Sequence, residues 1–412
     1  MYKRVMAPRH YWKRLIVVAA GALVLAGCAP SPAPRLDYHG DPNVRGSVAK
    51  VERIDGYSLL HMRGLLWLVK FPEPVPISQG IALYRISYWS VTDGKAVLVS
   101  GLISVPGNGT PRGTVLWMHG THDNRKDSVS YPGSSDGILP SGLFAGAGYV
   151  LLAPDLVGLG VSQEPQAYLY NPSTIDVTLD FLRAAQTVTK DFGLAWNSNL
   201  YLVGFSEGGH AAAVIQRELE QHSNPAWQIK ASAGIAGPYK LADISFSFAL
   251  HGQSPEDSLY MATVALSYAT YYHQPLGSVL TERYAQIVPS LFDGDHALDD
   301  IRKVMPADPR SMFTTEFLEA FDRKAPNWFS TAWRDNQIDA WAPKAPFRAY
   351  FGEKDIDVSP LEAKTFVTEA KSLGGDAELV SVGPYDHNES VLHAAPLVRR
   401  WFDELTAAGA AR

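Results

Sequence analysis

From Asn199 to His210 the chain reads Asn-Leu-Tyr-Leu-Val-Gly-Phe-Ser-Glu-Gly-Gly-His, an apolar run that passes through Gly204, Ser206 and Gly208 into an Ala-rich segment. A serine with glycines two residues to either side, where a strand meets a helix, lets the chain turn sharply without Cβ clashes. It leaves the Ser206 hydroxyl exposed at a helix N-terminus. A serine hydroxyl is a weak nucleophile until a base takes its proton, so the pattern calls for a histidine and for an acid to hold it.

Two later segments supply them. Phe347-Arg-Ala-Tyr-Phe-Gly-Glu-Lys-Asp355 reads as a strand that ends at Gly352 and delivers Asp355 just past its end; Glu378-Leu-Val-Ser-Val-Gly-Pro-Tyr-Asp-His387 reads as a strand followed by a loop carrying His387. Asp357 competes with Asp355 for the acid's place, and the distance from Gly352 favours Asp355. Asp386 adjoins His387 too closely to orient it and reads as a loop charge. His393, in the last helix, and His210, on the helix after Ser206, read as structural. An oxyanion formed at an attacked carbonyl needs hydrogen-bond donors. The expected pair is the backbone N–H of Glu207 and that of Thr121, in Trp117-Met-His-Gly-Thr-His122, where Gly120 permits a tight backbone and His119 packs structurally. A zinc site at His119, His122 and Asp123 lacks the helical ligand spacing of a catalytic metal centre. No metal or cofactor is expected.

The order serine, acid, histidine and the signatures His119-Gly-Thr121, Ala153-Pro-Asp-Leu-Val-Gly-Leu-Gly-Val-Ser162, Gly204-Phe-Ser-Glu-Gly-Gly-His210, Gly352-Glu-Lys-Asp355 and Asp386-His387 resemble the α/β-hydrolase superfamily. More narrowly, they resemble the secretory lipase family and its bacterial esterase relatives, over about residues 80 to 405. The resemblance implies serine ester hydrolysis through an acyl-enzyme, a helical lid, and the triad Ser206, Asp355 and His387. Asp155 reads as stabilising its loop, and Tyr168 and Tyr170 as lying near the mouth of the site.

The elements that must position these groups follow from patterning. Ile81 to Val105 is β-branched and aromatic, broken at Asp93-Gly94, and predicts an antiparallel hairpin. Beyond residue 112, apolar strand-like runs (114–119, 149–154, 200–205, 229–235, 347–351, 378–382) alternate with helical ones (141–146, 174–189, 208–221, 360–373, 389–406). That alternation predicts an α/β fold with a mainly parallel sheet flanked by helices. Residues 241–344 carry no strand pattern but many aromatics among helix formers, and read as a helical lid inserted before the strand that carries the acid. The core is then 46–240 and 345–412.

Upstream, Lys3, Arg4, Arg9, Lys13 and Arg14 precede an apolar run too short to span a bilayer permanently, which ends in Leu25-Ala-Gly-Cys28. This resembles the lipobox of bacterial lipoproteins. It implies a signal peptide over 1–27, lipidation of Cys28, and a position in the bacterial cell envelope, tethered to a membrane and facing out of the cytoplasm. Residues 28–45 are Pro-rich and suit an extended tether. As the single cysteine, Cys28 has no partner for an internal disulfide. Loss of 1–27 takes the formal charge from −6 to −11, which excludes a phosphate-rich partner such as nucleic acid. The expected partner is a small-molecule or lipid ester, with oligomeric state open. A serine peptidase or amidase would use the same groups, with Glu256, Asp257 and Asp293 available to grip an amino terminus. An acyltransferase and a non-catalytic surface binding protein complete the alternatives.

Overall fold

The computed structural model describes residues 38–72, 75–339 and 341–410, so the expected signal peptide (1–27) and Cys28 lie outside the described residues. A nine-stranded sheet in the order β1-β2-β3-β5-β4-β6-β7-β8-β9 forms its centre. The strands are β1 (Val48–Tyr57), β2 (Ile81–Thr92), β3 (Lys95–Pro106), β4 (Thr114–Met118), β5 (Val150–Pro154), β6 (Asn199–Phe205), β7 (Gln228–Ile235), β8 (Phe347–Phe351) and β9 (Ala377–Ser381). β1, β2, β3 and β5 pair antiparallel in succession, and every pairing from β5 through β4 to β9 is parallel. The β2–β3 hairpin turns on Asp93 (φ 50°) and Gly94 (φ 70°), the pair of left-handed residues that a tight two-residue connection needs.

Period-two alternation sends side chains to two apolar layers. From β4 and β6, Leu116, Met118, Leu200 and Leu202 join one cluster; Val115, Trp117, Tyr201 and Val203 join the other. Helices α3 (Asn171–Asp191), α4 (Glu207–Gln221) and α11 (Pro360–Ser372) cover the first face. On the second lie α1 (Leu59–Val69), α2 (Ser135–Phe144) and α12 (His387–Ala410). A sheet covered on both faces can carry the unbroken apolar runs seen in the parallel strands.

The structure departs from the sequence reading in three places. β1 and α1 were not foreseen, because β1 is a partly exposed edge strand whose Lys50, Glu52, Arg53 and Asp55 break the apolar signal. α2 starts at Ser135 and not at Ser141; Gly137 and Pro140 disguise its first turns, yet a Cβ on residue 137 would overlap the Val129 carbonyl. His387 opens α12, whereas the sequence assigned it to the preceding loop.

Between β7 and β8 the chain forms α5 (Phe246–Leu250), α6 (Asp257–Tyr271), α7 (Glu282–Leu291), α8 (Leu298–Val304), α9 (Thr315–Asp322) and α10 (Trp328–Asn336). Its aromatics form a core of their own: Phe246 stacks on Trp333 at 4.8 Å and Phe313 on Phe317 at 5.0 Å, with Tyr268 and Phe329 enclosed. This insertion is clasped to the loop that precedes α3. The Ser267 hydroxyl donates to the Tyr168 carbonyl (3.0 Å) and the Tyr271 hydroxyl to that of Pro165 (2.6 Å). No helix among the described residues is long and apolar enough to cross a membrane.

Candidate active site

Ser206 sits between β6 and α4 with φ 56° and ψ −121°, a conformation that L-residues rarely adopt. The turn is held on both sides. The Ser206 N–H donates to Ile235 (2.8 Å), and its carbonyl accepts from Gly209 (2.8 Å) and His210 (3.3 Å). Both flanking glycines are demanded by close approach and not by positive φ. A Cβ on residue 204 would overlap the Gly208 carbonyl, and one on residue 208 would overlap that of Met118. At the acid's strand end, Gly352 plays the same part, since a Cβ there would collide with the Tyr385 carbonyl and with Ser390 Oγ.

These turns bring three groups into one line. His387 Nε2 lies 2.9 Å from Ser206 Oγ, and His387 Nδ1 lies 2.7 Å from Asp355 Oδ2. The other Asp355 oxygen accepts the backbone N–H groups of Asp357 and Val358, each at 2.9 Å, so both carboxylate oxygens are engaged and their orientation is fixed. All three side chains are buried. Burial opposes protonation of His387, but the adjacent Asp355 carboxylate, with Asp357 and Asp386 behind it, outweighs burial and raises its pKa above 6.5. The imidazole is therefore a better base than an isolated one, and the Ser206 proton is within its reach.

Asp357 takes no direct part in this line. Its carboxylate accepts a hydrogen bond from Ser254 Oγ of the insertion, and Asp257 in turn accepts the Ser254 N–H at 2.6 Å. The acid turn is thus fastened to the insertion at a point the sequence did not reveal, because Ser254 lies in a short loop that no motif marks. Asp257 is buried, and burial, reinforced by Asp357, lifts its carboxyl to about 7.

On the opposite side of Ser206, Glu207 is the first residue of α4, where backbone N–H groups lack an intrahelical acceptor. Its side chain turns inward and is buried; it accepts the N–H of Leu169, itself at φ 50°, while Oε2 has no partner. Burial lifts this carboxyl to about 8. Thr121 belongs to a loop pressed on the serine turn, since Gly120 packs on Phe205. Its Oγ1 lies 3.0 Å from the Tyr168 hydroxyl. The neighbouring His119 is buried, with Nδ1 2.7 Å from the Gly120 carbonyl oxygen, and burial together with His122 lowers its pKa to about 4.

The remaining candidates find other partners. Asp155 accepts from Ser100 Oγ (2.5 Å) and from the Ser130 N–H (3.1 Å), which ties the end of β5 to strand β3 and to the segment before α2 and leaves His387 to Asp355. His210 bridges the Pro238 carbonyl and Asn171 Oδ1, each at 2.8 Å, while His393 stacks on Tyr385. Asp386 accepts the Glu389 N–H at 2.8 Å in the first turn of α12, and Tyr170 stacks on Tyr271. His122 pairs with Asp136 at 2.9 Å. Among the described residues, the one cluster of three potential metal ligands is Asp355, Asp357 and His387, whose atoms already bind one another, Ser206 and Ser254. Glu256 pairs with Arg302 (3.1 Å) and Asp293 with His296 (3.0 Å), so both of these carboxylates are engaged within the insertion.

No family model matches the chain, and no curated protein matches it in sequence. Solved structures do. A presumed hydrolase from Legionella pneumophila superposes with a TM-score of 0.81 at 21% identity, covering 87% of this chain and 98% of that one. The rice cell wall degrading esterase LipA from Xanthomonas oryzae gives 0.74 at 24% identity, covering 86% and 95%. Candida antarctica lipase A in its closed state gives 0.66 at 16% identity, covering 92% and 88%. The chain has the α/β-hydrolase fold.

Proposed function

We propose that this chain is a serine hydrolase that cleaves carboxylic esters, tethered to a membrane of the bacterial cell envelope by lipid on Cys28 and facing out of the cytoplasm. The observation that carries the reading is the line Ser206–His387–Asp355 at 2.9 and 2.7 Å on a strained strand-to-helix turn. The esterase and lipase character of two proteins that share the fold supports an ester as substrate.

In this mechanism His387 removes the Ser206 proton as Oγ attacks the ester carbonyl, and Asp355 stabilises the imidazolium that forms. The backbone N–H groups of Glu207 and Thr121 receive the developing oxyanion; loss of one such donor typically costs on the order of 100-fold or more in rate. His387 then protonates the departing alkoxide, which leaves the acyl group on Ser206 and releases the alcohol. A water, deprotonated by the same imidazole, attacks the acyl-enzyme and returns Ser206 with a free carboxylic acid.

The test is hydrolysis of p-nitrophenyl esters from acetyl to palmitoyl by residues 29–412, beside Ser206→Ala. Release of p-nitrophenol that vanishes in the variant supports the reading, and the chain-length profile separates esterase from lipase. Absence of hydrolysis together with absence of fluorophosphonate labelling of the wild type overturns it.

A further inference from the structure

Helix α1 has two unlike faces. Met62 and Leu66 are buried against α2, close enough that a Cβ on Gly142 would strike Met62. The opposite stripe, Leu60, Gly64, Trp67 and Leu68, follows the i, i+4, i+7, i+8 spacing of one helical face. It points outward, with Leu60 80% and Trp67 76% exposed. Arg63 and Lys70 flank it, both exposed. An indole and leucines bordered by Arg63 and Lys70 match the water–lipid boundary, where the ring and methyls enter the acyl region and the Lys70 ammonium meets phosphates.

The position of this face in the fold says what it meets. α1 lies against the last turn of α2, and Arg63 donates to the Ile77 carbonyl (3.0 Å) beside Gly146, in the connection that leads into the start of β5. That is the N-terminal end of the parallel strands, whereas Ser206 follows the C-terminal end of β6, about 20 Å away at ~3.3 Å per strand residue. On the other face of the sheet, the hydroxyl of the first described residue, Tyr38, reaches this end: it donates to Asp191 (2.8 Å), the last residue of α3, which runs from the Ser206 end towards the N-terminal ends of the strands. Ten residues separate Tyr38 from Cys28, a reach of about 33 Å at most.

We infer that the exposed face of α1 docks on the surface of a lipid bilayer and turns the Ser206 end of the molecule away from it. The docking adds a non-covalent contact to the acylated Cys28 and fixes how the molecule sits on the membrane. The active site then faces the aqueous side, so its esters arrive from solution or from wall material and not from the bilayer beneath.

Because residues 38–410 contain the whole sheet and its covering helices, the unlipidated chain 29–412 tests the face without the anchor. Flotation with vesicles of phosphatidylethanolamine and phosphatidylglycerol is expected to carry the wild type upward and to recover at least tenfold less of the double variant Leu60→Ser, Trp67→Ser. Both proteins are expected to hydrolyse a soluble p-nitrophenyl ester equally, which shows that the variant is folded. Failure of that hydrolysis in both proteins would count against the proposed function alone, and circular dichroism then reports folding. Wild type that stays with the soluble fraction, or equal flotation of both proteins, overturns the docking. So does a wild-type dimer that the variant lacks, since a second copy would then cover the face.

Discussion

Replacing Glu207 with Gln is expected to change stability in a way that depends on pH, with a sign and size that follow from burial. The folded-state pKa of this carboxyl is about 8, against 4.5 when exposed. A raised carboxyl pKa means that the folded chain holds a proton that the unfolded chain has lost. Stability is therefore unaffected below pH 4.5 and falls as pH rises from there towards 8. At 1.36 kcal/mol per pK unit, wild type loses about 3 kcal/mol between pH 4 and pH 7 through this group. Gln cannot ionise and escapes the loss. It keeps an oxygen for the Leu169 N–H, and the cost of an unpartnered amide is the same at both pH values, so it cancels in the comparison. With an unfolding entropy of roughly 2.1 cal/mol/K per residue, a body of about 370 residues has roughly 0.8 kcal/mol/K. Thermal unfolding of both proteins at pH 4 and pH 7 is the assay. The Tm of Glu207→Gln relative to wild type should rise by about 4 °C between the two. A relative Tm that stays within 1 °C would refute the claim that Glu207 is held protonated.

Asp355→Asn is expected to lower kcat on a p-nitrophenyl ester by about 10³- to 10⁴-fold, because the imidazole loses its orienting charge. Asp357→Asn, whose carboxylate accepts from Ser254 while Asp355 holds His387 Nδ1, should cost less than tenfold; the reverse order would reassign the acid. Since His387 acts as a base only when neutral and its pKa is raised, kcat/KM should climb with pH along a limb whose midpoint lies above 6.5. A midpoint below 6.5 would mean that Asp355 does not govern the imidazole. Asn336→Ala removes the acceptor of the Asn171 N–H and the donor to the Tyr272 hydroxyl, each buried or part-buried. A loss of roughly 1–3 kcal/mol is expected, read as a Tm lowered by about 1–4 °C.

What the sequence made legible was whatever depends on local chemistry. The turn around Ser206 is encoded by two glycines whose missing Cβ atoms leave room for the carbonyls of Gly208 and Met118, so the motif announces the geometry directly. The central parallel strands were equally plain, because a sheet covered on both faces tolerates unbroken apolar runs, and their short length between turn residues and helical segments speaks for strands. Edge strand β1 escaped for the converse reason: half exposed, it alternates with charges, and its pairing to β2 is a long-range fact that no local pattern states. The choice between Asp355 and Asp357 turned on a two-residue difference in a turn, and what distinguishes them is tertiary: His387 Nδ1 meets Asp355, whose other oxygen is held by backbone N–H groups, whereas Asp357 accepts from Ser254.

The insertion shows where sequence reasoning stops. Its helices were visible from composition, yet the contacts that join it to the core are single polar side chains without periodicity. His210 on the helix after Ser206 meets Asn171, Asn171 meets Asn336 at the end of α10, and Asn336 meets Tyr272. His210 is fully buried, and burial lowers its pKa to about 4, so it stays neutral in this chain of bonds at neutral pH. With Ser254 on Asp357 and Ser267 on Tyr168, both ends of α6 and the end of α10 are fixed to loops that adjoin the serine, the acid and the Thr121 turn. An insertion fastened at so many points to the elements that carry Ser206, Asp355 and Thr121 cannot move away as one rigid body without breaking buried hydrogen bonds.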